Sequence, residues 1–143
     1  MATKYLRYAF LLASLFTFVT LSSYAQTQVK KEPIQMTSAA SGSDMFNSYC
    51  ASCHGKDAKG DGPAASSLKV TPANLTELAK KNNGKFPTDH VANILRSGVA
   101  GAHGSPDMPV WGPLFSQVSS HDDAMVQMRI SNLIHYLESL QVK

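Results

Sequence analysis

Two cysteines followed by a histidine constrain this chain more than any other feature. The segment Cys50-Ala51-Ser52-Cys53-His54 holds the only two cysteines of the 143-residue sequence. Thiols at positions i and i+3 share one face of a helix, where they can add to two vinyl groups along one edge of a porphyrin. The adjacent histidine can then offer its imidazole to the iron. Cys-x-x-Cys-His is the attachment pattern of c-type haem, so the motif predicts one covalently bound haem c.

Other uses of a cysteine pair require features that the sequence mostly lacks. A zinc site needs four ligands, normally in two separated pairs, and the chain has no second cysteine pair. A redox dithiol opens a helix after a strand, whereas this pair ends a helical stretch. A Cys50–Cys53 disulfide would close a very short loop and add little stability through chain entropy. The disulfide nevertheless stays open as an alternative.

The first 25 residues have the layout of a secretory signal peptide. Lys4 and Arg7 precede an uncharged, mostly apolar run from Tyr8 to Leu21, and small residues at Ser23 and Ala25 mark a cleavage site. We therefore expect cleavage after Ala25 and a periplasmic or other extracytoplasmic protein. An uncleaved membrane anchor is the alternative, although the apolar run is shorter than the roughly 20 residues of a spanning helix.

The rest of the chain is predicted to form a short leader and one small domain. Residues 26–41 are polar, small and non-periodic, which predicts a flexible leader. Residues 42–143 have the size of a single domain. Loss of Lys4 and Arg7 lowers the formal net charge from +3 to +1. This balance does not indicate a nucleic-acid-binding protein, which usually carries a strongly basic face.

Hydrophobic periodicity and capping residues predict an all-α domain with long loops. No run alternates cleanly enough to indicate a strand. The first expected helix runs from Gly42 to about Cys53 and is capped by Ser41 or Ser43. A short second helix is opened by Asn74 and ended by Gly84, and a third is capped by Thr88 and stops at Gly98. The fourth is an amphipathic terminal helix capped at Ser120. The loops between them are rich in glycine and proline, and the 55–63 loop is more glycine-rich than attachment requires.

The methionines and histidines are the candidates for a second iron ligand. Met108 lies in the loop "SPDMPVWGP", where Pro109 fixes its own φ and biases Met108 toward extended conformations. A thioether held in a stiff loop suits a haem iron and raises its reduction potential. Met108 could instead be an ordinary core residue. Among the histidines, His103 in the same loop is the rival ligand.

The motifs together resemble a small class I cytochrome c. The resemblance is carried by "MFNSYCASCHGKDAKGDGP", "DMPVWGP" and "NLIHYLESL", and it covers about Ser43 to Leu140. It implies a cytochrome c fold of three to five short helices around one covalent haem. It further implies that Cys50 and Cys53 form the thioethers and that His54 and Met108 are the axial iron ligands.

The resemblance also implies roles for residues beyond the ligands. Pro63, nine residues after His54, matches the proline whose carbonyl accepts the N–H of the proximal histidine. Phe46 and Tyr136 match the aromatic contact between the first and last helices. Trp111 is expected either to donate its indole N–H toward a haem propionate or to wall the haem crevice.

The function implied is single-electron transfer, and we expect no enzymatic activity. The expected partners are redox proteins: a respiratory complex, a terminal oxidase or a periplasmic oxidoreductase. We expect a monomer with only peripheral membrane contact. The alternatives are a haem c subunit, sensor or enzyme with a labile or open sixth position, a cytochrome domain tethered by an uncleaved signal, and a disulfide-containing interaction module.

A cluster of lysines follows the attachment motif and provides a hypothesis about docking. Electrostatic steering toward an acidic partner would use some of them, whereas a solvated surface is the simpler interpretation. The lysines are Lys56, Lys59, Lys69, Lys80, Lys81 and Lys85.

Overall fold

Every regular element of the described chain is helical. The computed structural model describes residues 34–98 and 107–142. Its α-helices in these ranges are α1 (Gly42–Tyr49), α2 (Ala51–His54), α3 (Leu78–Lys81), α4 (Thr88–Ser97), α5 (Trp111–Val118) and α6 (Asp123–Ser139). The same ranges contain two 3₁₀ turns, Ala65–Ser67 and Leu75–Glu77. The all-α prediction is confirmed, although the six α-helices exceed the expected three to five.

Helix α1 begins where its capping residue was expected. The hydroxyl of Ser41 accepts from the backbone N–H of Asp44 at 3.2 Å, which satisfies one of the free donors of the first turn. Met45 and Phe46 are fully buried, so this face of the helix enters the core. The predicted single helix is interrupted at Cys50, which separates α1 from α2.

The contact between α1 and the terminal helix α6 organises the core. The rings of Phe46 and Tyr136 lie 5.4 Å apart with an interplanar angle of 49°, which confirms the expected contact between the first and last helices. Gly42 allows the close approach, because a Cβ there would lie 2.2 Å from the carbonyl oxygen of Asn132. The fully buried large side chains are Phe46, Phe115, Met45, Ile130 and Leu133.

Helix α5 was not predicted, because its sequence begins Trp111-Gly112-Pro113. The loop was expected to continue through this glycine and proline. Pro113 is instead tolerated in the first helical turn, where its missing N–H would have had no partner within the helix. Trp111 and Phe115 then face the core, so the helix is held by burial rather than by intrinsic propensity.

The cap of α6 differs from the predicted one by two residues. Asp122, not Ser120, is the N-cap, and its carboxylate accepts from the backbone N–H groups of Ala124 and Met125 at 2.9 and 3.2 Å. Ser120 and His121 have φ values of 53° and 64° and form a left-handed turn before the helix. Asp123, the acidic residue of the first turn, therefore directly follows the acidic cap Asp122.

The unit that holds the helices includes residues that the sequence places in the leader. The unit that contains the described residues starts at Ile34, within the expected leader. Asn132 donates to the carbonyl of Ala39 at 2.9 Å, and Arg129 donates to that of Thr37 at 3.0 Å. Thr37 and Ala39, which the sequence places in the leader, are therefore bonded to α6. The 26–41 leader as a whole stays a prediction.

The predicted signal peptide falls outside the described residues and stays a prediction. None of the helices within 34–98 and 107–142 has the length and hydropathy of a membrane-spanning segment.

Candidate haem site

The two cysteines lie on one turn at the junction of α1 and α2. The backbone N–H groups of Cys53 and His54 both donate to the carbonyl of Cys50, at 3.1 and 2.9 Å. Residues 50–54 are thus the predicted attachment turn, with the thiols at i and i+3 on one side of the helix. Both are half-buried and neither is in a disulfide, so the structure gives no support to the disulfide alternative.

The Cys50 thiol is protonated at neutral pH. Burial of its sulfur, and secondarily the neighbouring Cys53, raise the pKa of Cys50 to about 12. A structural zinc site would instead favour thiolates in a cluster of ligands. In the described ranges, no three His, Cys, Asp or Glu residues are grouped so that they could hold a metal ion.

His54 is held in the neutral form that a metal requires. Its Nδ1 lies 3.0 Å from the carbonyl oxygen of Ala73. A carbonyl can only accept, so Nδ1 carries the proton and Nε2 keeps its lone pair for a ligand bond. Burial lowers the pKa of His54, and the hydrogen bond to Ala73 opposes that shift without cancelling it.

The acceptor for His54 is not the residue that the resemblance implied. Pro63 was expected to supply the carbonyl, and the structure shows that of Ala73 in its place. The residues flanking Pro63 are tied to α2 instead: Gly62 donates to the carbonyl of Cys53 at 3.1 Å, and Ala64 to that of Ser52 at 2.9 Å. Sequence reasoning missed Ala73 because a backbone carbonyl leaves no side-chain signal.

The extra glycines of the 55–63 loop have a structural reason. The loop returns directly onto the backbone of the attachment helix α2. A Cβ at Gly62 would lie 2.6 Å from the carbonyl oxygen of Ala51 and 2.5 Å from that of Ser52. Only glycine fits at this distance, so the loop is built to lie against the attachment helix.

A cluster of three aromatic rings lies beside the attachment turn. Tyr49, which immediately precedes Cys50, has its ring centroid 5.5 Å from that of Trp111 and 6.0 Å from that of Phe115. Trp111 and Phe115 are 5.5 Å apart and both are buried. Packing of this kind favours the wall interpretation of Trp111 over the propionate interpretation, although its contact with a cofactor stays a prediction.

Met108 lies three residues before the start of α5 and packs half-buried against the core. The side chain of its neighbour Asp107 accepts from the backbone N–H of Lys69 at 3.4 Å, which brings this loop to the segment after the first 3₁₀ turn. His103, the rival ligand, lies outside the described residues. The choice of Met108 therefore stays a prediction.

The chemistry of these groups fits a covalently attached haem. Two free thiols on one helix face, a neutral imidazole beside them and apolar aromatic surroundings are what attachment and proximal ligation require. A thioether in the same apolar cluster is available as a soft ligand.

Comparison with known proteins agrees with this chemistry. The family model described as cytochrome c oxidase, cbb3-type, subunit III matches residues 37–127, which include the attachment turn, the Ala73 segment and Met108. No curated protein and no solved structure matches the chain significantly. Because the match spans well over half of the sequence, the chain belongs to the cbb3-type cytochrome c oxidase subunit III family and is a c-type cytochrome.

Proposed function

We propose that this protein transfers single electrons through one haem c attached at Cys50 and Cys53, with His54 and Met108 as axial ligands. The observation that carries the proposal is the hydrogen bond from His54 Nδ1 to the Ala73 carbonyl at 3.0 Å. This hydrogen bond leaves Nε2 of His54, the residue that follows Cys53, available to bind a metal. Haem c, when bound, supplies a one-electron redox couple whose potential the protein tunes.

Each residue of the site has a role that follows from its surroundings. Cys50 and Cys53 fix the position of the group, and His54 is kept neutral by burial. The Met108 thioether would fill the remaining axial position and keep small molecules from binding there. Trp111 and Tyr49 would exclude water on the side of the α1–α5 contact.

The family description supports a terminal oxidase complex as the redox partner that we propose. We further propose an extracytoplasmic location after cleavage at Ala25, and peripheral contact with the membrane. The exposed side chain of Lys56, close to the attachment turn, is suited to steer docking on an acidic partner surface. Electron-transfer rates that fall as ionic strength rises would support this steering.

Expression with haem-maturation machinery tests the proposal. The mature chain should gain the mass of one haem, and its ferric form should show the weak near-infrared band of methionine-to-iron ligation. Met108→Ala should abolish that band, lower the reduction potential and allow CO to bind the ferrous form. Met128→Ala is the matched control, since Met128 is exposed on α6.

Two results would contradict the proposal in different ways. A chain with the mass of the haem-free protein would exclude a haem carrier. A haem-containing wild-type protein that is high-spin and binds CO readily would instead indicate an open sixth position, as in a sensor or enzyme.

A further inference from the structure

The end of the terminal helix is tied to a distant segment through one glutamine. Gln141 lies two residues after α6 ends, and its Nε2 donates to the carbonyls of Leu75 at 2.7 Å and Leu137 at 2.8 Å. Its Oε1 accepts from the backbone N–H of Ala79 at 2.8 Å. The amide therefore uses both donors and its oxygen to hold α6 against the segment that begins at Leu75.

Further hydrogen bonds hold residues 74–77, the Leu75 turn, in place. The backbone N–H of Val142 donates to the carbonyl of Thr76 at 2.9 Å, and that of Leu75 donates to the carbonyl of Ala58 at 2.8 Å. Within the turn, Asn74 Oδ1 accepts from the backbone N–H and the hydroxyl of Thr76, at 3.0 and 2.7 Å. The turn at residues 74–77 is thus bonded to the 55–63 loop on one side and to the residues that follow α6 on the other.

The residue just before this turn is Ala73, whose carbonyl accepts from His54. Ala73 itself is exposed, so water competes for its carbonyl oxygen. The bond to His54 persists only if the peptide between Ala73 and Asn74 keeps its orientation. That orientation is set by the turn at residues 74–77, which Gln141 anchors.

We propose that Gln141 is a positioning residue for His54. It acts through the Leu75 turn, which aims the Ala73 carbonyl at Nδ1. A hydrogen-bond acceptor at Nδ1–H raises the basicity of an imidazole ligand and favours the more highly charged metal. Gln141 therefore lowers the reduction potential. This inference rests on the proposed function, because it concerns the ligand role of His54.

The test uses the haem-containing protein with three variants. Gln141→Met has a similar length and removes every polar contact of the amide. Gln141→Glu retains an acceptor for Ala79 but loses the donor to Leu75. Gln127→Met is the matched control, since Gln127 lies on α6 and its side-chain oxygen accepts from Arg96 at 2.7 Å, on the side of α4.

Two readouts report on His54 itself. One is the midpoint potential, and the other is the hydrogen-exchange rate of His54 Nδ1–H, measured by NMR in the ferrous protein. Gln141→Met should raise the potential by up to about 59 mV, a tenfold change in a one-electron equilibrium. It should also speed exchange at Nδ1–H by about tenfold or more. Gln127→Met should leave both at wild-type values.

Gln141→Glu keeps the test decisive if Gln141→Met yields no haem-containing protein. Its added negative charge lowers the potential by itself, so exchange at Nδ1–H is the deciding readout for this variant. Faster exchange than in wild type supports the proposal, and wild-type exchange overturns it.

Lost stability alone would not support the proposal. If Gln141→Met unfolds more easily but keeps the wild-type potential and the wild-type exchange rate, Gln141 is merely structural and the inference is overturned. A wild-type chain without haem would overturn the proposed function as well, so the two failures are distinguishable.

Discussion

At the scale of single residues, burial keeps the two central groups of the site uncharged. The Cys50 thiol has a raised pKa and the His54 imidazole a lowered one, and desolvation is the larger cause in both. An uncharged thiol and an uncharged imidazole can share a small apolar space without a counter-ion. Neutrality therefore follows from where the attachment turn lies, at the edge of the aromatic cluster.

The thiol of Cys50 should resist alkylation in the haem-free folded protein. Iodoacetamide reacts with the thiolate, which is scarce well below a pKa of about 12. Mass spectrometry at pH 8 should find Cys50 modified far more slowly than in the same protein unfolded in urea, and the folded-state rate should climb toward pH 12.

Cys53→Ser provides the control for this prediction. Burial is the first cause of the raised pKa and Cys53 the second, so Cys50 should remain slow in that variant. Alkylation of folded Cys50 at the rate of an ordinary thiol would contradict the prediction.

At the scale of elements, the close packing of α1 against α6 depends on Gly42, which has no side chain. Gly42→Ala should lower the free energy of unfolding by about 2–3 kcal/mol, since its Cβ would meet the Asn132 carbonyl and the two helices must separate. Chemical denaturation followed by circular dichroism measures the change.

Gly84→Ala separates this steric effect from the conformational preference of glycine. Gly84 has φ +84°, and a Cβ there would meet nothing within 4 Å. The expected loss is therefore only the cost of a left-handed alanine, about 1 kcal/mol. Equal losses for the two variants would show that the helix crossing can relax.

At the scale of the whole molecule, the buried guanidinium of Arg129 joins residues 34–41 to the helical core. Arg129 is 3% exposed, and it donates to the Ser119 hydroxyl at 3.0 Å and to the Thr37 carbonyl at 3.0 Å. It also approaches the sulfur of Met45 at 3.8 Å. A buried guanidinium is costly without hydrogen-bond partners, so residues 34–41 contribute to the stability of the domain.

A chain that begins at Gly42 should be less stable than one that begins at Ile34 by about 3 kcal/mol or more. The shorter chain loses the Ser41 cap and leaves Arg129 without the Thr37 carbonyl. Thermal unfolding of both chains measures the difference.

A double-mutant comparison assigns that loss to the guanidinium. Arg129→Met should cost less in the chain that begins at Gly42 than in the chain that begins at Ile34, because the partner is already gone. Additive effects would mean that Arg129 and the 34–41 segment act independently.

Local sequence was enough for part of this structure. Periodicity located α1, α4 and α6, because these helices bury a regular apolar stripe whose spacing can be read directly. Among the predicted caps of these three helices, only that of α1, Ser41, is the cap in the structure. Helix α5 was missed, since its glycine and proline argue against a helix and only burial of Trp111 and Phe115 overrides them. The bond between Thr37 and Arg129 could not be predicted either, because the two residues are far apart in the chain.

For the site, the sequence by itself determined the attachment turn. Cys50, Cys53 and His54 are adjacent in the chain, so the helical repeat alone sets their geometry. Met108 and Trp111 as cofactor contacts remain predictions. Only the tertiary structure decided that Ala73 orients His54 and that Gln141 holds the turn after Ala73. The physical reason is that a backbone carbonyl is common to every residue type, so its partner depends on packing rather than on sequence.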